Sequence, residues 1–123
     1  MKMAADGQPV VGPTARELGA RRDDDIPVDE QGWVQPLTGG ISVSPHSYER
    51  LPLHRRPPEL GGNGKDPVWS LETTDLPPDL RYRPDDEESP VHGTIEPGSR
   101  MTFDGYQAAL QATRSHWRLV ERA

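Results

Sequence analysis

Proline and glycine occupy 26 of the 123 positions, 14 and 12 respectively, and no other feature constrains the chain so strongly. At about a fifth of all residues they come close to the level at which composition alone implies disorder. Proline removes a backbone donor and glycine raises the entropy lost on folding, so the chain is expected to be rich in loops. Leu, Ile, Val and Phe together fill only 22 positions, under the ~20 % share below which highly charged chains stay unfolded. The net charge is only −6. A small packed core is therefore expected, with Trp33, Trp69 and Trp117 supplying much of its area, and the length suits a single domain.

The absence of cysteine excludes disulfides, thiolate zinc sites and cysteine nucleophiles. No apolar run approaches the ~18 residues of a membrane span, and residues 1–12 lack the apolar stretch of a secretory signal. The expectation is a soluble protein made in the cytoplasm, with no membrane partner. An acidic balance also argues against general nucleic-acid binding, which needs clustered Lys and Arg to displace counterions.

Along the chain, residues 1–12 are small, polar and aperiodic and read as a mobile leader, 13–117 as the domain and 118–123 as a tail. Helix formers after Pro13 suggest two helical turns over 13–22, with a strand through 15–18 as the rival. The acidic run at 23–25 reads as a solvated loop, followed by a turn at Gly32 and a short extended piece. Apolar and polar residues alternate over 41–44, 68–71, 80–83 and 91–96, which predicts four short strands. Ser42 and Ser44 then share one face. The prolines and glycines of 46–65 forbid a helix and predict a long loop, of the kind that serves as a lid or binding loop. Asp85 opens an acidic turn that runs to Glu88. Thr102 reads as an N-cap, and Phe103, Tyr106, Leu110, Thr113 and Trp117 follow at spacings that form one stripe of a helix to about His116.

Individual motifs carry little chemistry. His46, His54, His92 and His116 have no short ligand spacing, so no metal site is expected. The run from Gly61 to Lys65 is not a phosphate loop: Glu59 stands where glycine is needed, Asp66 where Ser or Thr is needed, and Pro67 forbids the following helix. No Gly-x-Ser-x-Gly elbow exists either. Glu96 ends a strand beside a turn, and His92, four residues earlier, shares its face. Both suit ligand contact, and both suit ordinary surface or half-buried roles. Arg50, Arg55 and Arg56 can hold an anion bidentately or pair with the many acidic residues.

Taken in order, several blocks form a pattern: Gly39-Gly40-Ile41-Ser42-Val43-Ser44-Pro45, Leu51-Pro52-Leu53-His54-Arg55-Arg56-Pro57, Gly64-Lys65-Asp66-Pro67-Val68-Trp69, Leu76-Pro77-Pro78-Asp79-Leu80, His92-Gly93-Thr94-Ile95-Glu96-Pro97, and Met101-Thr102-Phe103-Asp104-Gly105-Tyr106-Gln107. The pattern resembles the bacterial ADP-ribosyltransferase-like toxins related to the second type VI secretion exported effector, from Arg16 to about Trp117. The resemblance implies an α+β fold: a small single domain with a compact mixed or antiparallel sheet, a short N-terminal helix and a C-terminal helix. It implies NAD as substrate, held in a cleft by Arg16 or Arg55 on its pyrophosphate and by Ser42 and Ser44 on the nicotinamide ribose. Glu96, with His92 beside it, would assist transfer by stabilising the positive charge that builds on the sugar. Position 94 is Thr, so the paired acidic or amide residue of the wider superfamily is missing. Implied partners are an immunity or antitoxin protein and an acceptor macromolecule of unknown kind. The rival is a non-catalytic interaction protein of the same fold that binds a partner through the 46–65 loop, and a third reading is a largely disordered chain.

Overall fold

In a computed structural model that describes residues 1–14, 16–45, 48–85 and 92–121, with the Arg50 side chain outside the description, three small antiparallel sheets surround one α-helix. The strands are β1 (Trp33–Val34), β2 (Ile41–Val43), β3 (Trp69–Ser70), β4 (Leu80–Pro84), β5 (Gly93–Pro97), β6 (Met101–Thr102) and β7 (Arg118–Leu119). β2, β5 and β4 form the largest sheet in that order, while β1 pairs with β6 and β3 with β7. The helix α1 (Phe103–Ala112) leaves β6 without a loop. The domain is α+β, as expected. Short 3-10 turns at Tyr48–Arg50, Leu53–Arg55 and Pro58–Leu60 punctuate the proline-rich loop.

Strand alternation sets the two faces of the β2-β5-β4 sheet. Ile41, Ile95 and Tyr82 lie side by side in register on one face; Arg81 pairs with Glu96, and Arg83 and Ser42 both pair with Thr94, on the other. Pro84 and Pro97 close their strands where the missing donor is tolerated. Gly93 admits the ring of Tyr82, since a Cβ there would stand 2.2 Å from Tyr82 Cε1.

The helix keeps the predicted cap and stripe but ends at Ala112 rather than near His116, and a 3-10 turn over Arg114–His116 carries the stripe on to an extended Trp117. Thr102 Oγ1 accepts from the Gly105 N–H at 3.0 Å, and Asp104 occupies the first turn, where the helix dipole favours an anion. Tyr106, Leu110, Thr113 and Trp117 are buried along one stripe, with Phe103 packed at its edge. Tyr106 fastens this stripe to the sheet: its hydroxyl donates to the Ile95 carbonyl at 2.6 Å and accepts from the Ile41 N–H at 3.2 Å. Burial pushes the Tyr106 phenol well above its usual range, so it stays a neutral donor. Gly40 passes so close that a Cβ would lie 2.3 Å from the Ile95 carbonyl oxygen.

Several expectations require correction. Among the described residues of 13–22 there is no helix. The Leu18 N–H goes to the Val10 carbonyl at 2.7 Å and the Leu18 carbonyl accepts from Gly12 at 3.2 Å, so this backbone is committed to pairing outside any helix. Leu18 forms an isolated parallel bridge with Val11, which leaves the rival strand as one bridge, with Ala15 outside the described residues. Residues 1–12, read as a leader, are tied down at several points. The Met1 ammonium donates to the Pro67 carbonyl at 3.3 Å, Trp69 Nε1 donates to the Met1 carbonyl at 2.7 Å, and Arg114 grips Asp6 through two bonds of 2.7 Å. The tail contains β7, which pairs with Trp69 and Ser70. Trp69 and Trp117 belong to the core, whereas Trp33 is half-buried with Arg100 stacked 4.2 Å from its ring centre. His46, most of the acidic turn and Val91 lie outside the described residues.

Candidate functional site

A cleft of about 1360 Å³ opens between the β2-β5-β4 sheet, the N-terminal segment and the loop that precedes β3. Its floor is apolar, with Ile41, Val43, Ile95 and Tyr82 from the sheet and Trp69 and Trp117 beside them. Such a surface suits flat rings, and polar groups around it can orient a ligand. Five of the six residues singled out in the sequence line this cleft: Arg16, Ser42, Ser44, Arg55 and His92. They come from four separate stretches of chain. Ser42 belongs by register to the Thr94 face, lies on an edge strand of the sheet and borders the cleft.

Arg55 and His92 are exposed, and Arg55 forms no ion pair among the described residues, so its guanidinium can take an anion. Arg16 is differently placed. Its Nε and Nη2 donate to the two carboxylate oxygens of Asp66 at 2.6 and 2.7 Å.

The sixth residue, Glu96, departs from the expectation. It has no exposed surface and does not line the cleft, because its side chain points to the face opposite Ile95. There Arg81 donates to Oε2 at 2.8 Å, Arg83 to Oε1, and the Leu37 N–H to Oε2 at 3.3 Å. Burial alone would push the carboxyl up, but hydrogen bonds from Arg83, Arg81 and Leu37 outweigh it and hold the group below its usual value. A carboxylate so fully engaged organises the sheet rather than facing a ligand. Removing it would strand two arginines, although both reach water, with side chains 46 % and 34 % exposed.

The sign of the resulting pH dependence follows. A depressed folded pKa means that the unfolded chain binds more protons in the acid range, so stability rises with pH there. The Glu96 contribution is complete above the unperturbed value of 4.5 and is lost as pH falls through the lower folded value. Asp6 and Asp66 are depressed by Arg114 and Arg16 and act in the same direction. Melting midpoints followed by circular dichroism from neutral pH into the acid range should therefore fall more steeply for the wild type than for Glu96→Gln. Parallel curves would mean that Glu96 is not the group responsible.

Three cleft residues escaped the sequence reading. Tyr82 lies on the floor with a buried hydroxyl that has no hydrogen-bond partner, and burial raises its pKa. Its signal was the shared face of Leu80 and Tyr82 in an alternating run. Asp66 enters the sequence reading as the residue that spoils a phosphate loop and as part of the Gly64–Trp69 block, with no role at the site. Glu72 emerges by comparison with the other cleft carboxylates. Glu17 accepts from Thr14, Asp25 from Arg21 and Asp66 from Arg16, whereas Glu72 is exposed and its carboxylate has no hydrogen-bond or ion-pair partner among the described residues.

Among the described residues no group of three or more His, Cys, Asp or Glu is gathered to hold a metal ion, and no helix is long and apolar enough to cross a membrane. In comparison with known proteins, residues 2–117 match a family model described as Tse2 ADP-ribosyltransferase toxin. No curated protein and no solved structure matches the chain.

Proposed function

Because the chain belongs to the Tse2 ADP-ribosyltransferase toxin family, we propose that it binds NAD in the cleft and transfers ADP-ribose to an acceptor macromolecule in a target cell's cytoplasm. The reading also takes in delivery as a bacterial effector, of the type VI kind, and neutralisation by an immunity or antitoxin protein. The observation that carries it is the convergence of Arg16, Ser42, Ser44, Arg55 and His92 on one cleft with an aromatic floor.

In the reaction the bond between nicotinamide and ribose breaks and its electron pair leaves with nicotinamide. A nucleophile of the acceptor forms the new bond at the same carbon and gives up its proton to solvent or a nearby base. Arg55 pairs with the pyrophosphate through parallel N–H donors. Hydroxyls of Ser42 and Ser44 orient the ribose and the amide, which lowers the entropy needed to reach the reactive arrangement. Positive charge grows on the sugar, and a carboxylate on the cleft side stabilises that state more than the ground state. Glu72 fills this role, with His92 as a proton-handling neighbour, and Glu96 is a positioning residue that keeps β4 and β5 together from behind.

The test is growth inhibition. Expressed in a bacterial host, the Ser42→Ala, Ser44→Ala double variant is expected to lose toxicity while keeping the wild-type far-ultraviolet spectrum, since small polar changes on an edge strand cost less than ~1 kcal/mol. Full toxicity of that variant would place the site elsewhere. One observation favours the rival interaction module: the late-strand carboxylate, Glu96, is consumed by Arg81 and Arg83. That rival predicts no NAD binding and a loss of activity confined to changes in the 46–65 loop.

A further inference from the structure

We infer that Asp66 sets the affinity of the cleft for anions: its carboxylate occupies the Arg16 fork as an internal anion, which an entering pyrophosphate must displace. The inference rests on the reading of the cleft as an NAD site.

Arg16 and Asp66 are 50 residues apart in sequence and both line the same cleft. The guanidinium presents two parallel donors at 2.6 and 2.7 Å to a single carboxylate, the geometry with which arginine binds phosphate oxygens. Both partners remain accessible to a ligand, with side chains 52 % and 22 % exposed. The pair is not needed to hold the walls together. The Met1 ammonium already bonds the Pro67 carbonyl at 3.3 Å, and Trp69 already bonds the Met1 carbonyl at 2.7 Å, so the chain on either side of Asp66 is tied to the N-terminal segment by other contacts.

The chemistry of the exchange sets a threshold. Asp66 offers Arg16 two oxygens and one negative charge, and the Arg16 hydrogen bond holds its carboxyl below the usual range, so this charge is present at neutral pH. The charges of the Met1 ammonium and Lys2 also favour this carboxylate electrostatically. A neutral ligand such as a nucleoside, or one with a single weak acceptor, gains too little from the fork to displace it. A pyrophosphate diester brings two charges and four non-bridging oxygens, enough to take Arg16 while Asp66 turns toward the Met1 ammonium and Lys2. Asp66 thereby lowers by a common factor the affinity for any anion that takes the Arg16 fork, and leaves unchanged the affinity for ligands that do not use it.

The experiment is a double-mutant cycle in full-length protein, with dissociation constants measured calorimetrically for NAD and for inorganic pyrophosphate. The variants are Asp66→Asn, Arg16→Ala and both together, with melting midpoints recorded first and Asp66→Ser as a second neutral replacement. Freed of its competitor, the Asp66→Asn protein is expected to bind both ligands about two- to fivefold more tightly, the range set by an exposed ion pair. In the Arg16→Ala background the same change should have no effect. A staple that merely held the cleft would give the reverse, a lower melting midpoint and weaker binding. Equal or weaker binding of pyrophosphate by Asp66→Asn overturns the inference, even where NAD binds well. Tighter pyrophosphate binding by that variant, with no NAD binding by either form, upholds it and overturns the NAD reading instead. Binding of neither ligand by any form overturns both.

Discussion

Truncation of Trp117 to Ala is expected to cost about 3 to 5 kcal/mol, the range for removing a buried aromatic ring from a packed core. The ring is 7 % exposed and closes the apolar stripe that begins at Phe103. Its Nε1 donates to Thr113 Oγ1 at 2.8 Å, and that hydroxyl donates in turn to the Leu110 carbonyl at 2.6 Å. Deleting the indole therefore opens a cavity and also removes a donor from the turn that links α1 to β7. In a domain with few aliphatic residues, neighbours can fill little of the void. Total stabilities of small domains run to about 5 to 15 kcal/mol, so the loss is a large share of the whole. At about 4 to 8 °C per kcal/mol for a domain of this size, the melting midpoint should fall by more than 10 °C, readily seen by circular dichroism. Trp117→Phe should fall by much less. An unchanged midpoint for Trp117→Ala would show that the segment after the helix is not part of the core.

The second large effect separates two carboxylates. Glu72→Gln is expected to lower nicotinamide release by about 10² to 10³, the cost of removing one preorganised electrostatic contact from a transition state, while NAD affinity stays near the wild-type value. Glu96→Gln should behave in the opposite way. Its shape survives but its charge does not, so the Arg81 and Arg83 bonds weaken and the melting midpoint drops, while the rate per folded molecule changes little. The more severe Glu96→Ala is expected to lose about 2 to 4 kcal/mol, at the lower end for breaking a buried pair because both arginines can recover water. A rate that collapses in Glu96→Gln and survives in Glu72→Gln would return the transfer role to Glu96 and require the sheet to open during turnover.

Much of the fold could be read from local periodicity, because its strongest elements have it. The stripe from Phe103 to Trp117 and the Thr102 cap identify the helix, and alternation finds the centres of β2, β3, β4 and β5. Two-residue strands are another matter. β6 and β7 are too short for any alternation to register, and they exist because partners far along the chain, Trp33 with Val34 and Trp69 with Ser70, offer free edges. The misread N-terminal segment has the same cause. Helix formers at 14–18 were weighed by propensity, which a few hydrogen bonds to Val10 and Gly12 override. At the site, the residue pattern and the family resemblance together name six candidates, of which five line one cleft. Glu96 lies outside the cleft for a specific reason. Parity in sequence places it on the face of Thr94, but nothing local tells which face of a three-stranded sheet looks into the cleft. The hint lay in Arg81 and Arg83, two cations at the same period in the strand that turns out to pair with it.

The central claim is tested most directly by incubating the purified protein with NAD and an acceptor-containing bacterial lysate, then quantifying nicotinamide by chromatography against the Ser42→Ala, Ser44→Ala variant. The account predicts nicotinamide release well above spontaneous hydrolysis for the wild type, and release at the background rate for a variant that melts at the same temperature. Background release by both proteins, or equal enzymatic release by both, would contradict it.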